Sequence, residues 1–150
     1  PPDTRLLFVG GSAGEIARYK RLAEEMGQLA RVQLIPHVPS ELVPSYLKAC
    51  DILAYVPSAG TPFFDKETSP MKLFEYMASE RPIIVSSLPT TETILSREQA
   101  YFTVPGDTKS FVDAVAAIRT HPELAAQKVK NALAAVLENT WENRAAKILP

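Results

Sequence analysis

Cysteine is almost missing from this chain: Cys50 stands alone among 150 residues. A single thiol excludes an internal disulfide and any cysteine-rich metal site, and a reducing, cytoplasmic compartment is the expectation. Long apolar runs are missing too. The longest, Ala132 to Leu137, is six residues, far below the ~20 that span a bilayer, and no signal-peptide pattern opens the sequence as given. Charge of one sign is not in excess either. Sixteen Lys and Arg against 17 Asp and Glu leave a net charge of −1, so no overall field gathers nucleic acid or anionic lipid. Lys128, Lys130 and Arg144 read as a solvated face, too sparse for a nucleic-acid patch. Glycine is scarce at six residues, where an average of about 7% would give roughly ten, and the 13 prolines supply most of the punctuation.

What is present is a core-forming chain. Hydrophobic residues make up 46%, and this length is one domain's worth, so residues 1–150 are expected to form a single α/β domain. Leu6 to Val9 are apolar and end at Gly10-Gly11, after which Ile16, Tyr19, Leu22, Ala23 and Met26 share one helical face. Val32 to Ile35 form a second strand closed by Pro36, and Ser40 is placed to cap the next helix, with Pro44 early enough to be tolerated. Ile52 to Val56 lack polar alternation, which predicts a strand covered on both faces and central in a parallel sheet. An irregular connection follows Pro57. Ile83 to Val85 and Tyr101 to Val104 are the fourth and fifth strands, separated by a short helix near Thr91 to Leu95. Pro105-Gly106 suits a type II turn. From Thr108 onward the pattern is helical, with His121 as a turn residue and Thr140 capping a last helix that carries Trp141, Ile148 and Leu149.

Five strands alternating with helices define a Rossmann-like open parallel sheet with helices on both faces and a helical tail. Ligands of such sheets bind outside the carboxyl ends of the strands. Gly10-Gly11-Ser12-Ala13-Gly14 departs from the spaced glycine triplet of a dinucleotide fold and reads as a tight turn. Asp51 precedes its strand, which argues against a receiver-type signalling domain.

The chemistry concentrates at Glu67-Thr68-Ser69-Pro70-Met71-Lys72, which leads into Leu73-Phe74-Glu75-Tyr76-Met77-Ala78. Ser69 suits an N-cap and Pro70 a first helical position, so a helix is predicted to start there. The N–H groups of Met71 and Lys72 then lack helical acceptors and face any phosphate with the positive end of the dipole. Glu67 lies just before the helix, and Glu75, about a turn and a half inside it, can accept bonds from two neighbouring hydroxyls such as a ribose diol.

Two glutamates separated by seven residues, followed by Tyr76-Met77-Ala78 and the strand Pro82-Ile83-Ile84-Val85, resemble the carboxyl-terminal domain of retaining family 4 glycosyltransferases. Ile35-Pro36-His37-Val38-Pro39, Asp51-Ile52-Leu53, Pro57-Ser58, Val104-Pro105-Gly106-Asp107 and Trp141-Glu142-Asn143-Arg144-Ala145 match that domain in order. The resemblance implies the donor half of a two-domain GT-B enzyme that transfers a sugar from a nucleotide-diphosphate sugar with retention of configuration. By motif match Glu67 takes the donor-sugar hydroxyls and Glu75 the ribose. Thr68, Ser69, Met71 and Lys72 hold sugar and phosphate, and His37 and Val38 meet the base by position. No metal or other cofactor is implied, and the partners are the nucleotide sugar and an amino-terminal acceptor domain. Any peripheral membrane contact would come through that other half.

Two departures stand beside these matches. Thr68-Ser69-Pro70 replaces the family's Gly, aromatic and Gly, and Pro70 cannot donate an N–H. The Ser69 hydroxyl, or the amides of Met71 and Lys72, are expected to take over the phosphate. The family's first strand, with the Arg and Lys that follow it, has no counterpart, so the chain is expected to be a fragment that transfers nothing alone. That leaves Leu6–Val9 and Ile52–Val56 to pair with each other or with another chain. The alternative function is a non-catalytic nucleotide or sugar-phosphate binding domain.

Overall fold

The computed structural model describes residues 3–57 and 70–140, together with 143 and 145. The chain divides into two compact units, Pro1–Cys50 and Asp51–Pro150.

In the first unit, β1 (Leu6–Val9) and β2 (Val32–Ile35) pair in parallel with Leu6 opposite Val32 and Val9 opposite Ile35. Both strands coincide with the apolar runs of the sequence, because glycine and proline stop each run at its carboxyl end. Gly10 and Gly11 adopt φ of +109° and +96°, a region that costs L side chains energy, and the Gly10 N–H donates to the Ile35 carbonyl at 3.0 Å. The turn feeds α1 (Ala13–Glu25), whose N-cap Ser12 and Glu15 form a reciprocal capping box. The Ser12 N–H donates to the Glu15 carboxylate at 2.7 Å, and this backbone bond, then the Ser12 hydroxyl, holds that carboxyl below its usual range. The glycine stretch is thus a turn and a helix cap, as its sequence suggested. Ser40 is not a side-chain cap. It opens a 3₁₀ turn (Ser40–Leu42) that runs straight into α2 (Val43–Ala49), so the helix inherits its direction from the turn and carries Pro44 in its first positions.

The second unit holds β3 (Leu53–Tyr55), β4 (Ile83–Ser86) and β5 (Tyr101–Thr103), all parallel, in the order β3-β4-β5. Leu53 lies opposite Ile83, and Ile84 opposite Tyr101. The five expected strands are all present, but they form a sheet of two and a sheet of three rather than one sheet. β4 is the central strand of the three, whereas β3, expected to be central, is an edge with Ala54 exposed. Apolar runs alone do not distinguish the two positions.

Helices cover both faces of this sheet. Ile83 and Val85 of β4 pack with Leu73 and Met77 of α3 (Lys72–Ala78), while Ile84 between them faces Ala114, Val115 and Ile118 of α5 (Thr108–Thr120). That alternation is the strand's period of two, with a core on each side. α4 (Pro89–Glu92) begins earlier than the Thr91–Leu95 expected, because Pro89 supplies the helical φ at its first turn. Pro105-Gly106 makes the predicted type II turn: Gly106 has φ +77° and the Asp107 N–H donates to the Val104 carbonyl at 3.1 Å. Asp107 then caps α5 through the Lys109 N–H at 2.8 Å. His121 joins α5 to α6 (Pro122–Leu137) as a turn residue. α6 places Ala125 in the α5-side core and Ala132 in the α3-side core. Thr140 accepts from the Asn143 N–H at 3.2 Å, as a cap does. Trp141, Ile148 and Leu149 lie outside the described residues.

Glu80, just past α3, is a non-glycine residue at φ +59°. Glycine ends helices in this conformation without the Cβ clash. Glu80→Gly is therefore expected to stabilise the protein by about 0.5–1 kcal/mol, read as a higher urea midpoint at unchanged m.

Candidate functional site

The carboxyl edge of β3 and β4 is built on buried hydroxyls. Ser86, the last residue of β4 and 1% exposed, donates from Oγ to the Pro57 carbonyl at 3.1 Å. This bond ties the end of β4 to the chain leaving β3. Thr91, fully buried, accepts from the Leu88 N–H at 3.1 Å and approaches the Ser86 carbonyl at 2.7 Å. Thr103 Oγ1 reaches the Val85 carbonyl at 3.3 Å. Ser87 donates to the Glu92 carboxylate across the turn into α4. These hydroxyls were not singled out in the sequence. Their signal was there, since Ser86-Ser87 follow an unbroken apolar strand at the end where backbone groups leave the ladder. Tyr55, at the end of β3, has its phenol pushed above the ordinary value by burial.

α3 follows this edge. Its ladder starts later than the sequence suggested: Met71 is the N-cap, without a side-chain cap bond, and Lys72 is the first helical residue. Pro70 is buried, and its carbonyl accepts from the Leu73 N–H at 2.9 Å, so the first turn is closed by i to i+3 bonds before the α-helical spacing begins. The Phe74 N–H likewise donates to the Met71 carbonyl at 3.0 Å. The amides of Met71 and Lys72 therefore precede the first intrahelical donors.

Leu73 and Met77, one helical turn apart, are 0% and 1% exposed and anchor α3 to the sheet. Glu75 projects from the opposite face, exposed, in the first turn of the helix where the dipole favours an anion. With the helix beginning at Lys72, it lies about one turn in, not a turn and a half. Met71 and Lys72 are also exposed. The second unit thus presents Met71, Lys72 and Glu75 together at one helix start. Glu67, Thr68 and Ser69 lie outside the described residues. His37 and Val38 belong to the first unit, where they follow β2 directly between Pro36 and Pro39, with His37 exposed and Val38 half-buried. The segment after β2 therefore leaves the carboxyl end of a parallel strand, the position where α/β sheets bind ligands.

Residues 1–134 match the family model described as Glycosyl transferases group 1. The chain belongs to that family. It is similar in structure to Anabaena Alr3699/HepE in complex with UDP, with a TM-score of 0.80 and 20% identity over 99% of this chain and 41% of that one. Sucrose-phosphate synthase from Thermosynechococcus elongatus aligns with a TM-score of 0.80 and 26% identity, over 96% of this chain and 36% of its own. The carboxyl-terminal domain of a group 1 glycosyl transferase family protein (LpcC) from Francisella tularensis aligns at 0.72 and 20% identity, covering 91% and 69%. This chain spans well under half the length of the first two. No curated protein matches it in sequence. The α/β, Rossmann-like fold is thus that of group 1 glycosyltransferases.

Proposed function

We propose that this chain is the donor-binding half of a two-domain GT-B enzyme that transfers a sugar from a nucleotide-diphosphate sugar to an acceptor with retention of configuration, as in family 4. The observation that carries this reading is the family match over residues 1–134 joined to a structural likeness that covers 99% of this chain but 41% of Anabaena Alr3699/HepE, a structure in complex with UDP.

In this reading the Glu75 carboxylate accepts hydrogen bonds from the two ribose hydroxyls beside the start of α3. The amides of Met71 and Lys72, with the Ser69 hydroxyl, hold the diphosphate. Thr68 borders the sugar, Glu67 orients its hydroxyls, and His37 and Val38 border the base. The leaving phosphate accepts the proton of the incoming hydroxyl on the face from which it departs, so the reaction calls for neither a protein nucleophile nor a metal. The acceptor is brought by an amino-terminal domain, since transfer requires both substrates held in one geometry. A cytoplasmic location and a role in polysaccharide synthesis fit this chemistry.

The test is the anomeric configuration of the product made by the whole enzyme, followed by NMR from the start of the reaction. The expected product has the configuration of the donor. An inverted product contradicts retention, and turnover by this chain alone contradicts its assignment as half of the site.

A further inference from the structure

A second feature lies at the other end of the three-stranded sheet. A cavity of about 420 Å³ opens at the amino end and free edge of β5, lined by Arg97, Tyr101, Phe102, Asp113, Ala117 and Lys128. Lys128 was expected to be solvated. Instead it is half-buried, its Nζ lies 5.2 Å from the centre of the Tyr101 ring, and it donates to the Arg97 carbonyl. The Arg97 guanidinium carbon lies 5.2 Å from the centre of the Phe102 ring. Asn131, one turn further along α6, donates to the Glu98 carbonyl at 3.0 Å, so α6 fixes the segment that carries Arg97.

The charge balance of this cavity is uneven. Its one lining carboxylate, Asp113, is taken by Lys109 at 2.6 Å on the exposed rim. Among the described residues, no carboxylate pairs with Arg97 or Lys128. A guanidinium over an aromatic face spends no N–H group on a counter-charge, and its planar fork matches a phosphate. The ammonium has donors left beyond the one given to the carbonyl. Arg97 and Lys128 both line this cavity at the free edge of β5 without a carboxylate partner, which suits an anionic ligand. The volume lies within the range of small-molecule sites, about 300–1,000 Å³, and admits more than a bare ion.

We propose that this cavity is a binding site for a small phosphate-bearing molecule, held by Arg97 and Lys128 and separate from the donor edge. Tyr101 and Phe102 form its walls. Each ring holds one cation, Phe102 that of Arg97 and Tyr101 that of Lys128, and the two cations meet the cavity around the edge of β5. The site sits at the amino end of β5, whereas the candidate donor site lies at the carboxyl ends, so both can be filled at once.

The experiment is a titration of the isotope-labelled protein with inorganic phosphate at constant ionic strength, observed by NMR, with acetate in a parallel arm. Phosphate is expected to give saturable shifts at the Arg97 side chain and at the Tyr101 and Phe102 amides. Arg97→Gln and Lys128→Gln should each weaken binding about tenfold, and Lys128→Arg should retain it. Equal melting temperatures of the variants show that the fold is kept, and the Lys128→Arg comparison stands if a Gln variant is unstable. Shifts that do not saturate, an equal response to acetate, or unchanged affinity in Arg97→Gln would each overturn the assignment.

Discussion

Replacing Leu73 with alanine is expected to destabilise the second unit by about 2–5 kcal/mol, the range for emptying a filled core position. Leu73 is 0% exposed and packs in the cluster that holds Met77, Ile83 and Val85. It is also the residue next to Lys72, so the same side chain that fills the core sets the height of the helix start over the sheet. Its loss leaves a cavity that the surrounding strands cannot close without moving α3. The urea midpoint reads the effect directly. Leu73→Met, which nearly conserves volume, should cost less than about 1.5 kcal/mol and serves as the control. Equal midpoints for Leu73→Ala and the parent would contradict the packing described.

The second large effect concerns binding rather than folding. In the proposed function, Glu75→Gln should weaken the nucleotide by about 1.5–3 kcal/mol, roughly ten- to hundredfold, because the amide keeps one acceptor oxygen and one ribose hydroxyl loses a charged hydrogen bond. Glu75 is exposed, so the melting temperature should stay nearly constant. That split separates a binding role from a structural one. Calorimetric titration of nucleotide into parent and variant measures it, and equal affinities would remove Glu75 from the site.

Local features of the sequence carried much of the fold. β1 and β2 match their apolar runs residue for residue because Gly10 and Pro36 stop them. The type II turn at Pro105-Gly106 follows from ring-fixed and positive φ, which two residue types supply. What depends on distant residues was out of reach. The edge position of β3 is set by which strands find each other, and an apolar strand reads the same in the middle of a sheet or at its side. The start of α3 moved because the Pro70 carbonyl, on a buried proline, takes the Leu73 N–H in a tighter first turn. The paired cations went unseen for the same reason: Arg97 and Lys128 lie 31 residues apart and meet only because α6 returns past β5. At the candidate site, Glu75 and its neighbours followed from the spacing of the acids and the helix signal. The supporting hydroxyls of Ser86 and Thr91 needed coordinates, since serine and threonine are common at strand ends for other reasons.

In the proposed function, the start of α3 and the segment after β2 both meet a nucleotide-sugar donor. Titrating UDP, GDP and ADP into the labelled chain and following backbone amides by NMR tests it most directly. One of the three should produce saturable shifts at Met71, Lys72 and Glu75, together with shifts at His37 and Val38. Shifts that bypass α3, or none with any nucleotide, would contradict the account.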